Sequence, residues 1–124
     1  MTRMLLAAGL AVAFSSAARA QSVPVTLSEW KVQIARDTLK AGPVTFRVKN
    51  DGSVVHGFQV LGEGVDKSTP QIAAGQSATL AVTLKPGTYE VYCPMAENSH
   101  KMAGMSKKIT VVAGEAAAAA AKKP

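Results

Sequence analysis

Hydrophobic side chains recur at every second position through most of the chain between residues 21 and 113. Val23, Val25 and Leu27 make one such set, and Trp30, Val32 and Ile34 make the next on the opposite parity. A phase change of this kind, near Ser28-Glu29, predicts a bulge or a strand that switches sheets. Val44, Phe46 and Val48 then alternate with Thr45 and Arg47. Val54, His56, Phe58 and Val60 form a further set, and Ala78, Leu80, Val82 and Leu84 another. Tyr89, Val91 and Cys93 share a face, and Ile109, Val111 and Ala113 close the series. Period-two alternation puts such side chains on one face of a strand. Turn-forming residues separate the runs at Ala41-Gly42-Pro43, Asn50-Asp51-Gly52-Ser53 and Lys85-Pro86-Gly87. Leu61 to Ala74 is looser and reads as a long connection with room for a helical turn, and Pro94 to Gly104 reads as a loop. The pattern predicts an all-β domain, a two-sheet antiparallel sandwich of seven or eight short strands with Greek-key connections.

The two ends depart from this pattern. Arg3, the apolar run from Met4 to Phe14 and the small-residue sequence Ala18-Arg19-Ala20 have the form of a secretory leader cut after Ala20. The run is too short for a membrane span. At the other end, Gly114-Glu115, an alanine run and Lys122-Lys123-Pro124 carry no apolar stripe. The expected organisation is a leader over 1–20, one domain over 21–113 and a low-complexity tail over 114–124.

Composition sharpens this reading. The chain has 124 residues, enough for one domain. Hydrophobic residues reach 48%, but the leader and the polyalanine tail inflate that figure. The formal charge is +6, and Arg3 and Arg19 leave with the leader. Export and the lack of aromatics interleaved with the basic residues exclude a nucleic-acid partner. One Cys excludes an intramolecular disulfide and an all-cysteine zinc site.

The chemistry-bearing residues are few. His56 and Cys93 both fall on the apolar parity of their runs. Either alone would ordinarily be structural: a hydrogen-bonded core imidazole, or a small buried hydrophobe. Here Cys93 is followed as Cys93-x6-His100-x4-Met105, and Met95 and Met102 lie in the same stretch. Thiolate, imidazole and thioether are the donors that suit copper. Calcium or magnesium would call for clustered carboxylates, and this loop holds Glu97 alone. No Ser–His–Asp arrangement can be drawn without consuming one of these residues, so a non-enzymatic role is expected.

Three segments resemble the cupredoxins, the type 1 (blue) copper family, in its small bacterial periplasmic form. Asn50-Asp51-Gly52 with His56-Gly57-Phe58 is similar to the family's N-x-G…H-x-F segment. Leu84 to Pro94 resembles the strand that enters the copper loop, and His100 to Met105 the H-x4-M ending. The resemblance runs over roughly residues 25–113. It implies a cupredoxin-like Greek-key sandwich holding one copper ion, with His56 and His100 as imidazole ligands, Cys93 as thiolate and Met105 as weak axial thioether. Met102 and Met95 are the alternatives for the axial place.

The resemblance further implies a monomeric periplasmic electron carrier cycling between Cu(I) and Cu(II), with no membrane span. A copper-handling protein that carries or donates the ion to an acceptor is the alternative, and a metal-free interaction module a third reading. Lys101, Lys107 and Lys108 bracket the loop and would steer an acidic redox partner. Three features depart from the family. The Cys-to-His spacing of six exceeds the two or four common in its electron carriers. Gly57 stands where many relatives carry Asn. Pro94 offers no N–H to the sulfur.

Overall fold

A computed structural model describes residues 20–114. The expected leader over 1–20, up to residue 19, and the expected tail over 114–124, from residue 115, lie outside the described residues. Nine strands form among the described residues, seven of them on the alternating runs: β1 (Gln21–Ser28), β2 (Lys31–Ile34), β3 (Thr38–Lys40), β4 (Gly42–Asn50), β5 (Gln59–Gly62), β6 (Val65–Ser68), β7 (Ser77–Leu84), β8 (Gly87–Tyr92) and β9 (Ser106–Val112). One short helix, α1 (Ser99–Met102), interrupts the last loop. Among the described residues no helix is long and apolar enough to cross a membrane.

The strands make two sheets, β2-β1-β4-β7 and β3-β9-β8-β5-β6. The expected all-β sandwich is therefore present. Its strand count exceeds the expected seven or eight because two strands form outside the alternating runs: β3, after the 30–34 run, and β6, with Val65 as its one apolar residue, inside the stretch that reads as a loose connection. β6 is held by antiparallel pairing to β5 at the edge of its sheet, where no apolar face needs to be buried. Two pairings, β1 with β4 and β3 with β9, are parallel; the others are antiparallel.

The phase change at Ser28-Glu29 has a different cause from the one expected. It is neither a bulge nor a sheet switch. β1 and β2 are antiparallel neighbours in one sheet, with Ser28 opposite Lys31, so Glu29 and Trp30 form a tight hairpin turn. The switch between sheets comes later. The chain leaves the first sheet after Ile34, where the Ala35 N–H still donates to Pro24 O, and Asp37 O accepts from Thr110 N in the second.

The core lies between the sheets and follows the alternation. Val23, Phe46 and Leu80 stand side by side on β1, β4 and β7 and are all buried. Facing them are Phe58, Val60, Tyr89, Val91, Ile109 and Val111. The Phe46 and Phe58 rings pack with centroids 5.2 Å apart and planes tilted by 54°, a contact worth about 0.5–1.5 kcal/mol beyond the area it buries. Tyr89 keeps its hydroxyl satisfied by donating to Lys85 O and accepting from Lys85 N.

Candidate metal centre

His56, Cys93 and His100 come together at one end of the sandwich. His56 sits outside the regular strands. Val54, on its parity, is 42% exposed, because the chain is a turn there and joins β5 only at Gln59. His56 is fixed instead by a two-bond bridge: its N–H donates to Ile72 O at 3.1 Å and its carbonyl accepts from Ile72 N at 2.8 Å. Asn50, fully buried at the end of β4, shapes the approach. Its amide nitrogen donates to Val54 O and Ile72 O, and its oxygen accepts from Gly52 N, each at 2.8 Å.

Cys93 follows β8 directly, and its N–H donates to Met105 O at 3.1 Å. Between Cys93 and His100 the six-residue spacing is taken up by a left-handed turn. Ala96, Glu97 and Asn98 have φ of 54°, 53° and 67°, a region that costs L-residues roughly 1–2 kcal/mol each. The Ser99 N–H donates to Ala96 O at 3.0 Å, α1 starts, and His100 O accepts from Met105 N at 3.1 Å. The long loop is thus a hydrogen-bonded turn that returns His100 to the sulfur.

The donor atoms converge. His56 Nδ1 and His100 Nδ1 lie 3.2 Å apart. Cys93 Sγ is 3.8 Å from the first and 3.7 Å from the second. A triangle with those sides has its centre about 2.1 Å from each corner, within the range of about 2.0–2.3 Å at which imidazole nitrogen and thiolate sulfur bind a small divalent ion. Three electron-rich atoms facing one point repel one another unless a proton or a cation stands among them, so the residues fit a metal ion. Among the described residues this is the one cluster of His, Cys and carboxylate side chains with that property.

The surroundings are arranged for the sulfur and the rings. Gly57 N–H donates to Cys93 Sγ at 3.3 Å, supplying the amide that Pro94 lacks. Met95 packs its methyl over Gly57, so the space an Asn side chain would take is occupied by a thioether chain. Met105 is fully buried. Met102 is 86% exposed, and Met95 is partly buried against the core.

Two residues of the β1–β2 turn touch the site, and their part was not legible in the sequence. Trp30, which the alternation places in the core, is 47% exposed. Its ring stands edge-on to His100 with centroids 4.8 Å apart, and 6.3 Å from His56. Glu29 Oε1 lies 3.2 Å from His56 Nε2 and also accepts from Ser53 N at 2.8 Å and Val54 N at 3.0 Å. Desolvation pushes the Glu29 carboxyl up, but N–H donors from Val54, its own backbone, Ser53 and His56 outweigh this and hold it below the ordinary 4.5. Loss of solvent pushes the His100 imidazole below its ordinary 6.5; His56 adds to this and Glu29 opposes it. The only sequence signal at these two positions was the change of phase itself.

Lys101, one of the three lysines near the loop, is already engaged. It pairs with Glu90 and lies 4.2 Å above the Tyr92 ring.

A family model described as "Cupredoxin-like domain" matches residues 2–105. The chain belongs to the cupredoxin-like domain family. No curated protein sequence matches this cupredoxin-like chain. Among solved structures it is similar to reduced auracyanin from Roseiflexus castenholzii, at 17% identity and TM-score 0.62 over 75% of this chain and 98% of that one. It is also similar to auracyanin A, a "blue" copper protein from Chloroflexus aurantiacus, at 19% identity and TM-score 0.57 over 72% of this chain and 99% of that one. Reduced amicyanin, as a point variant, matches at 18% identity and TM-score 0.55 over 73% of this chain and 82% of that one. At these identities the likeness establishes the fold, and the cofactor this cupredoxin-like domain is built to take is a single copper ion.

Proposed function

We propose that this cupredoxin-like domain is an exported, monomeric one-electron carrier with a type 1 copper site. His56 Nδ1, Cys93 Sγ and His100 Nδ1 would hold the ion, with the Met105 thioether as a fourth, weaker donor. The observation that carries this reading is the converged triangle of two imidazole nitrogens and one thiolate sulfur on a rigid, largely buried framework. Copper, when bound, supplies the one-electron couple between Cu(I) and Cu(II). The chain's part is to keep the ligands still. His56 is bridged to Ile72, the sulfur is bonded by Gly57, and the returning loop is closed on His100 and Met105. A frame that accepts both oxidation states without rearranging keeps the barrier to transfer low. Export is supported by the leader pattern of residues 1–20. The exposed Lys107 and Lys108 of β9 support an acidic partner.

Addition of Cu(II) to the purified apo-protein tests the reading. The expected result is intense visible absorption from cysteine-to-copper charge transfer, bleached by a reductant and restored by an oxidant. Cys93→Ser should remove it while circular dichroism stays that of a β-sandwich. Colour that survives this substitution overturns the ligand assignment. The copper-handling alternative has one observation in its favour, the exposed Met102 thioether beside His100. Colourless but tight Cu(I) binding would select it over electron transfer.

A further inference from the structure

We propose that Glu29 is a positioning residue of this site. It holds the His56 ring in the tautomer that presents Nδ1 to the metal, and its fixed negative charge favours the oxidised state of the centre. The second half rests on the copper reading above; the first does not.

The argument starts from what Glu29 Oε1 accepts. It lies 3.2 Å from His56 Nε2 and takes N–H bonds from Ser53 and Val54. An ionised carboxylate donates nothing. The Nε2 atom can therefore face it favourably only as N–H. In a neutral imidazole the proton on Nε2 leaves Nδ1 as a bare lone pair, and Nδ1 is the atom that faces Cys93 Sγ and His100 Nδ1. The two backbone bonds fix the carboxylate in turn, so ring orientation is set by the β1–β2 turn and the 52–54 turn together.

A second observation shows that space is kept for this contact. A Cβ at Gly52 would collide with Glu29 Oε1 and would stand 2.8 Å from His56 Nε2. Glycine at 52 is what lets the carboxylate reach the ring. His56 is fully buried, so the contact is shielded at its imidazole end, although Glu29 itself is partly open to solvent. A carboxylate bonded to the far nitrogen of a ligating imidazole makes that ligand more basic. Removing such a partner typically changes metal affinity by about 10–100-fold. The extra electron density and the charge favour Cu(II) over Cu(I), which lowers the reduction potential.

Two readouts test this on the full-length protein. The first needs no metal: ¹⁵N NMR of the His56 ring in the apo-protein at neutral pH. The wild type should show the Nε2–H form, and Glu29→Ala should show a mixture of the two tautomers. A predominant Nδ1–H form in the wild type, or an unchanged Nε2–H form in Glu29→Ala, overturns the proposal. The second is the midpoint potential of Glu29→Gln, which keeps the shape and an acceptor oxygen but removes the charge. If the lower end of that loss in affinity, about tenfold, falls on Cu(II), the potential rises by about 59 mV for one electron. A potential equal to the wild type's reduces Glu29 to a brace for the 52–54 turn and also overturns the proposal. If Glu29→Ala does not fold, the wild-type tautomer and the Gln variant still decide. If the wild type gives no copper couple at all, the copper reading has failed, and the apo-protein spectrum still judges Glu29.

Discussion

Asn50→Ala should be among the more damaging single changes that touch neither the metal nor the apolar core. The Asn50 side chain is fully buried and makes three hydrogen bonds, to Val54 O, Ile72 O and Gly52 N. The Ile72 carbonyl also accepts from His56 N, so it is not orphaned by the change. Val54 O and Gly52 N lie nearer the surface, where water can partly replace the amide. At about 1 kcal/mol net for each bond, the expected loss is about 2–3 kcal/mol. In a domain of this size each kcal/mol moves the unfolding midpoint by about 4–8 °C, so a fall of about 8–24 °C follows. Urea unfolding of the apo-protein measures the free energy directly, and its denaturant slope should be unchanged. Asn50→Asp provides a sharper comparison. It keeps the acceptor for Gly52 N but turns a carboxylate toward two carbonyl oxygens, so it should cost at least as much as alanine. A loss below about 1 kcal/mol for Asn50→Ala would refute the reasoning and show that water replaces the whole network.

The axial assignment predicts that Met105→Leu changes the visible spectrum and raises the potential, whereas Met102→Leu, at a residue 86% exposed, leaves both as they were; absorption and voltammetry of the two variants separate the cases. The lowered His100 value predicts how apo-protein stability depends on pH. The folded state holds this proton less tightly than the unfolded chain, so the contribution is complete above about 6.5 and is lost as the pH falls from there through the lower folded value. Urea midpoints at pH 7.5 and at stepped values below 6.5 should fall with acid, and His100→Gln should flatten that part of the slope.

The sandwich was legible because its buried residues obey period two. Val44, Phe46 and Val48 on β4, Leu80, Val82 and Leu84 on β7, and Tyr89 and Val91 on β8 are all buried as the alternation requires. The donor set was legible for a different reason: soft donors are scarce in the chain, and those in the 93–105 stretch follow one another at short spacing. What escaped the pattern depends on non-local geometry. Val54 keeps the parity of a strand that does not exist there, since Asn50 folds that stretch into a turn. Trp30 keeps the parity of β2 but sits in the turn before it, where it is free to leave the core for the rim of the site. Beyond the change of phase, Glu29 carries no signal, because a Glu-Trp turn lacks the glycine, proline or asparagine that marks such places. Its partner lies 27 positions away. The parallel pairings of β1 with β4 and β3 with β9 likewise follow from where the chain changes sheets, which alternation within a strand does not encode.

The ligands are unequally distributed along the chain, and this affects what the ion can do for the fold. Cys93 and His100 lie 7 positions apart, but His56 is 37 positions from the cysteine. An unfolded chain therefore retains a partial copper site, with thiolate, imidazole and thioether within one short peptide, and lacks only the distant ring. A ligand stabilises a native state by the excess of its affinity for that state over its affinity for the unfolded one. For this protein that excess comes chiefly from His56 and from whatever holds it in place. Copper is then a weaker stabiliser than its affinity for the folded state alone would make it, and an unfolding chain releases it reluctantly.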